Sequence, residues 1–305
     1  AVDASNRYIV TGSDDKTVRV WDLVTGQLPF TIRLPIGDSQ DGRVYAVAIS
    51  PDGQTVAAGG WTGYQWNQSY SIYLFDRATG RLLHELEGLP NVIFRLAYDK
   101  SGRFLIATLG RTGGIRLYRT SDYALIGQDS GYGALVSGVD FDVTGRLVTA
   151  SADGFVRLYD QTLHLVIKQK VPGGSQPYAV SFSPDGTKVA VVFDDSLKVS
   201  VLSSHDLSFL YSPDTSDITQ GNFYAVIWSA DGHAIYAGGR HGIPGTSSMV
   251  RKWLDEGKSR GRDLAAAKNT ILHLLPLKNG SIAYGASDPA FGILPEDGGH
   301  TFHRS

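Results

Sequence analysis

Val44-Tyr45-Ala46-Val47-Ala48-Ile49-Ser50-Pro51-Asp52-Gly53-Gln54-Thr55-Val56-Ala57-Ala58 decides the fold. Two short apolar runs flank a turn in which Pro presets φ, Asp bonds its own backbone and Gly takes positive φ. The same design returns at Pro177-Tyr178-Ala179-Val180 with Ser183-Pro184-Asp185-Gly186, and at Phe223-Tyr224-Ala225-Val226 with Ser229-Ala230-Asp231-Gly232. Working outward, the turn glycine recurs at Gly53, Gly102, Gly145, Gly186, Gly232 and Gly280, and Asn6 holds the place of a seventh. A third run follows each second one and ends in an aromatic, often with an acid after it, as in Trp21-Asp22, Phe75-Asp76 and Tyr159-Asp160. Thr25-Gly26 or Thr79-Gly80 then turns the chain into a fourth run, such as Leu82-Leu83-His84-Glu85-Leu86.

Four short strands per unit, at a period of about 40–50 residues, predict a β-propeller. A lone four-stranded sheet wets both faces, so such units must stack. The expectation is an all-β, seven-bladed propeller of four-stranded antiparallel blades, forming a single domain over residues 1–305. Second-to-third strand regions are expected near 7–22, 54–76, 103–119, 146–160, 187–202, 233–254 and 281–294. Val2-Asp3-Ala4-Ser5-Asn6 aligns with the end of a first strand and its turn, so blade 1 is expected to lack most of its innermost strand. Together with the missing initiator Met, this reads as a fragment or processed part of a longer chain.

Gly12-Ser13-Asp14-Asp15-Lys16-Thr17-Val18-Arg19-Val20-Trp21-Asp22 closely resembles the second-to-third strand signature of the WD-repeat β-propellers. Ala150-Ser151-Ala152-Asp153-Gly154-Phe155-Val156-Arg157-Leu158-Tyr159-Asp160 repeats it with Tyr for Trp. The Gly-His pair that precedes the first strand in that family is missing throughout, so its Asp–His–Ser–Trp tetrad is incomplete. Asp15 and Asp153 are expected to hold turns. The chain looks most like bacterial WD-repeat regions, and the resemblance implies a protein-binding scaffold, commonly fused to an effector domain such as a caspase-like protease or kinase.

Composition narrows the field. A formal charge of −2 gives no global attraction to nucleic acid or anionic membrane. No run approaches the roughly 18 apolar residues that span a bilayer. Zero Cys removes disulfides, thiol catalysis and Cys-ligated metal. Cytoplasm is the expected compartment, with a periplasm equally permitted by that count. No cofactor or metal is expected: the His residues make no helical two-His pair, and Asp14-Asp15 and Asp194-Asp195 are turn residues rather than a calcium loop. The basic stretch Arg251, Lys252, Lys258, Arg260 and Arg262 reads as a solvated edge, since nucleic-acid binding needs a wider patch with stacking aromatics.

Departures from the repeat point to function, because the scaffold does not require them. In blade 2 a short turn gives way to Trp61-Thr62-Gly63-Tyr64-Gln65-Trp66-Asn67-Gln68-Ser69-Tyr70-Ser71. Trp61, Tyr64, Trp66 and Tyr70 either anchor a partner or fold over their own blade. Blade 6 carries a second extension at the same place, Arg240-His241-Gly242-Ile243-Pro244-Gly245-Thr246-Ser247-Ser248. Joining loops 35–43 and 212–222 are expected beside these extensions on one rim, so Arg240 and His241 join the candidate contact residues. Asn91, Asn222 and Asn269 precede first strands, where they cap strand ends or hold a ligand at the channel mouth. Arg95 and His273 replace the small residue there, and either line the channel or pair with carboxylates.

The alternative function is a small-molecule or glycan hydrolase, which needs convergent carboxylates. Asp99, Asp140 and Asp142 are the candidates, but no pair is evident, and the chain is read as not an enzyme. Asp297-Gly298-Gly299-His300-Thr301-Phe302 resembles a single copy of the structural Asp-box turn of sialidase-type propellers.

Overall fold

The computed structural model describes residues 1–35, 40–243, 247–288, 290–296, 299 and 302–304. The period-2 runs form seven antiparallel sheets in chain order, the blades of an all-β, seven-bladed propeller. Contacts divide the chain into two compact units, residues 1–136 and 137–305.

The first unit holds three blades. Blade 1 has three strands, Tyr8–Gly12, Thr17–Asp22 and Gln27–Arg33. Where a fourth, innermost strand would lie there is a single bridge, Val2 to Ile9. Blade 2 runs Arg43–Ile49, Thr55–Trp61, Tyr70–Asp76 and Leu82–Leu89. Blade 3 runs Ile93–Tyr98, Phe104–Leu109, Ile115–Arg119 and Leu125–Asp129. Val10, Val18 and Val20 of blade 1 pack on Val44, Val56 and Phe75 of blade 2. Ile72 and Leu74 of blade 2 pack on Ile93, Leu105 and Leu109 of blade 3.

The second unit holds four blades, beginning at Val136–Phe141, Pro177–Phe182, Phe223–Trp228 and Ile271–Pro276. Each repeats the four-strand order. The buried third strands explain the apolar run before each aromatic: Trp253 and Tyr159 have no exposed surface, and each fills the space between strands where a smaller residue would leave a cavity.

The turns follow the sequence reading closely. Gly53, Gly102, Gly145, Gly186, Gly232 and Gly280 all take positive φ, from 71° to 91°, and Asn6 does so at 58°. A feature the sequence reading passed over is an exchange of partners within these turns. At Ser50, Ser183 and Ser229 the hydroxyl donates to the Asp two residues on, at 2.5 Å in each case. At Asp3, Asp99 and Asp142 the order is reversed: a buried acid comes first and accepts from Ser5, Ser101 or Thr144. Both orders satisfy the same orphan amides, so either acid-first or hydroxyl-first sequence builds the turn.

Side chains also fasten neighbours within each unit. Arg77 donates to the Gly53 carbonyl at 2.7 Å and lies 4.0 Å from the Tyr8 ring centroid. Arg146 bonds Asp142 at 2.7 Å and reaches the carbonyls of Gly186 and Ser204 at 2.8 and 2.9 Å, tying blade 4 to blade 5. Burial opposes ionisation of Asp142, but bonds from Arg146 and Thr144 outweigh it and hold the carboxyl below its usual range.

Candidate functional site

The two extended blades share a local feature. Each places Gly-Gly in its second strand, Gly59-Gly60 near the end of Thr55–Trp61 in blade 2 and Gly238-Gly239 within Ile235–Ile243 in blade 6, beside a register shift against the first strand. A Cβ on Gly60 would lie 2.2 Å from the Arg43 carbonyl oxygen, and one on Gly239 would lie 2.1 Å from that of Asn222. The glycines let the second strand approach the first this closely, and in both blades the extension lies beyond them.

In blade 2 the extension folds as a helical turn, Tyr64–Asn67, between left-handed Gly63 and Gln68. The end of joining loop 35–43 is bound to it, residues 36–39 lying outside the described residues: Gly42 N–H donates to the Trp61 carbonyl at 2.7 Å, and Gln65 N–H donates to Asp41 Oδ2 at 3.0 Å. Trp61 is half-buried against the core of blades 2 and 3 and meets Tyr70 edge-on at 5.6 Å between centroids. Tyr64 lies 5.1 Å from Tyr70 and remains 41% exposed. Tyr70 is buried, which corrects its expected place as a surface contact: it is the floor on which Trp61 and Tyr64 rest. Burial raises the Tyr70 hydroxyl's pKa, with Tyr64 and Asp41 adding and Arg111 opposing. The Trp66 side chain lies outside the described residues.

Asp41 is the residue that sequence reading missed. Only 4% of it is exposed, and its Oδ1 has no hydrogen-bond partner among the described residues. The only signal was an acid before Gly42 in a joining loop already expected beside the extension.

Blade 6 is built differently. His241 is 1% exposed, its ring edge-on to Phe223 at 5.0 Å and its Nε2 3.1 Å from Asp263 Oδ1. Arg251, 3% exposed, bonds Asp263 at 3.1 Å and Asp217 at 2.5 Å. Trp253 Nε1 donates to the Asp214 carbonyl at 2.8 Å. The acidic joining loop 212–222 is therefore pinned to the blade by Arg251 and Trp253. Burial opposes the charge on Asp263, while His241 and Arg251 hold its carboxyl below the usual range. Two expectations are corrected. His241 is an internal group rather than a contact, because its ring fills the space beside Phe223. Arg251 and Lys252 are buried partners of acids, not a solvated basic edge, with Lys252 Nζ 3.0 Å from Glu296. Arg240 stays exposed, its N–H donating to the Asn222 carbonyl at 2.9 Å. Pro244, Gly245 and Thr246, and the side chains of Ile243 and Ser247, lie outside the described residues.

The asparagines before first strands act locally. Asn91 Oδ1 accepts from Val92 N–H at 2.9 Å, and Asn269 Oδ1 from Thr270 N–H at 2.8 Å. Asn222 donates to the Asp194 carbonyl and lies 3.2 Å from the Tyr224 hydroxyl. Arg95 stands 5.8 Å from the Phe94 ring centroid. Asp15 accepts from Thr17 N–H at 3.1 Å and from Arg19. Asp153 accepts from Phe155 N–H at 3.2 Å and pairs with buried Arg157 at 2.6 Å.

The hydrolase candidates are committed to backbone. Asp99 accepts from Phe104 N–H at 2.7 Å and Asp140 from Phe182 N–H at 2.8 Å, while Asp142 serves Arg146. Among the described residues no group of three metal-ligating side chains occurs, and no helix is long and apolar enough to cross a membrane. His300 and most of the Asp-box stretch, Asp297, Gly298 and Thr301, lie outside the described residues.

Comparison with known proteins finds WD-repeat likeness over part of the chain. The family described as WD domain, G-beta repeat matches residues 1–22, 32–64 and 124–160. Telomerase protein component 1 of Mus musculus is 30% identical over 194 residues, which is 61% of this chain and 7% of that protein. WD repeat-containing protein SL1-17 of Schistosoma mansoni is 29% identical over 193 residues, 63% of this chain and 60% of that protein. Small ribosomal subunit protein RACK1y of Oryza sativa subsp. japonica is 35% identical over 85 residues, 27% of this chain and 24% of that protein. The chain thus spans only part of the length of these relatives.

Proposed function

We propose that the chain is one non-catalytic WD-repeat domain that binds a protein or peptide through the blade-2 extension. The observation that carries this reading is Tyr64: a large ring, 41% exposed, held on the buried ring of Tyr70, which Trp61 also braces. A preordered aromatic loses little conformational freedom on contact, which is what makes Tyr and Trp effective anchors. Relatives support the class of function, since Telomerase protein component 1 and Small ribosomal subunit protein RACK1y are by name parts of larger assemblies. Arg240, exposed on blade 6, is kept as a candidate contact in its own right, and Asp214 on the pinned loop adds negative charge in that blade, the charge of Asp217 being paired with Arg251.

The likeness to bacterial WD-repeat regions extends the reading to a cytoplasmic multidomain chain, in which the propeller presents a partner to a fused effector domain. The test is affinity capture with wild-type protein beside the Tyr64→Ala and Trp61→Ala variants. Loss of a captured protein in both variants, with blade 6 substitutions at Arg240 having a smaller effect, is the expected result. Equal recovery by wild type and Tyr64→Ala removes the blade-2 extension as the docking site.

A further inference from the structure

We infer that the blade-2 extension recognises a lysine side chain of its partner, with Asp41 as the charge that receives the ammonium group. This deepens the docking reading above and rests on it. Three observations lead there. Asp41 is buried, yet of its two carboxylate oxygens only Oδ2 has a donor, the Gln65 N–H at 3.0 Å, while Oδ1 has none among the described residues. A buried carboxylate served by one main-chain amide is under-compensated, and a cation is the partner that relieves it. The group beside it is aromatic: Tyr64 and Tyr70 lie 5.1 Å apart, Trp61 closes on Tyr70 at 5.6 Å, and the charge of Asp41 reaches both Tyr70 and Tyr73. Ring faces attract cations and accept the apolar stem of a lysine.

The layer over Asp41 is one helical turn thick. Gln65, which holds it, and the adjacent Tyr64 are exposed, and the turn begins and ends at left-handed residues, Gly63 with φ 85° and Gln68 with φ 52°. Lysine reaches Oδ1 on this inference only if that turn shifts. The count of free oxygens also selects the cation. Guanidinium pairs best with carboxylate through two parallel bonds, which needs both oxygens. Here Oδ2 already carries the Gln65 N–H, so a fork would have to share that oxygen, whereas a compact ammonium meets Oδ1 alone.

The experiment is calorimetric titration of the whole chain with three capped peptides: acetyl-Ala-Lys-Ala-amide, the same peptide with Nε-acetyl-lysine, and acetyl-Ala-Arg-Ala-amide. The lysine peptide is expected to bind saturably, and the acetyl-lysine peptide about tenfold more weakly, as loss of one charge-assisted bond requires. Asp41→Asn preserves an acceptor for Gln65 and is expected to lower lysine-peptide affinity by a similar factor. Tyr64→Ala is expected to lower it several-fold. Equal binding by Asp41→Asn, equal binding of the arginine peptide, or no saturable binding of the lysine peptide would overturn the inference. The docking reading fails separately: if a captured partner is lost in Tyr64→Ala but unaffected by Asp41→Asn, docking stands and lysine recognition falls.

Discussion

The extensions of blades 2 and 6 begin alike and end as opposites. Both start at a Gly-Gly pair that a side chain cannot occupy, and both gather the preceding joining loop. Blade 6 pairs its charged groups with one another: His241, Arg251, Asp263 and Asp217 form one connected set, Arg251 is almost wholly buried, and His241 Nδ1 and Arg251 Nε are left without partners among the described residues. Blade 2 leaves a carboxylate oxygen unserved and a tyrosine in water. Two extensions at equivalent places thus end as a locked corner in one blade and an exposed tyrosine in the other. The difference lies in where charges find partners.

Removing the lock should give the largest effect. Arg251→Ala strands Asp263 and Asp217 and opens space beside Trp253, for an expected loss of about 3 kcal/mol in chemical denaturation. Because both acids are partly exposed, 38% and 43%, water recovers some of that cost, so the value belongs at the low end for buried pairs. A loss below about 1 kcal/mol would show that the blade-6 network is ornamental, and the comparison would collapse. Trp61→Ala comes next, at about 2 kcal/mol, because Trp61 touches the core of blades 2 and 3 but is only half-buried. A cost as large as that of Arg251→Ala would mean that the blade-2 aromatics are chiefly structural.

How much of this contrast was legible in the chain follows from what kind of signal each part leaves. The turns were readable because Gly53, Gly186 and their counterparts meet a local demand for positive φ that few other residues meet as cheaply. The seven units and the short first blade followed from counting those turns. The extensions were visible as interruptions, but their contents were not. His241 and Arg251 look like surface residues in sequence, and only the partners brought from Asp263 and Asp217, 22 and 34 positions away, let them be buried. Tyr70 looked like Tyr64 for the same reason: alternation along a strand is lost inside an irregular hairpin, so inward and outward rings cannot be told apart. Asp41 was unreadable because an unsatisfied oxygen is a property of the fold alone.

Acid sharpens the comparison further. Asp263 is held below the usual Asp range in the folded protein, burial notwithstanding, by His241 and Arg251. A carboxyl depressed on folding contributes fully above its unfolded pKa, and the contribution is lost as pH falls through the folded value. Amide exchange across Ile235–Ile243 and Ser247–Trp253 should therefore accelerate as pH falls below about 4, after correction for the intrinsic rate. In Asp263→Asn that acceleration should be absent and protection lower already at neutral pH. An identical acid profile in the variant would assign the lock to Asp217 instead.

The smallest expected effect on stability is the most informative about function. Tyr64→Ala removes a ring that is 41% exposed and rests against one neighbour, so its folding cost should stay within about 0.5 kcal/mol. Its effect on partner binding should be far larger, since an exposed ring in the free protein becomes buried only in the complex. That pairing of a silent denaturation curve with a lost contact is what separates an anchor from a filler. Trp61→Ala cannot supply it, because half of its surface already serves the core. If Tyr64→Ala costs as much stability as Trp61→Ala, the turn at 64–67 is a cover for Asp41 and not a surface for a partner, and blade 2 joins blade 6 as a closed corner.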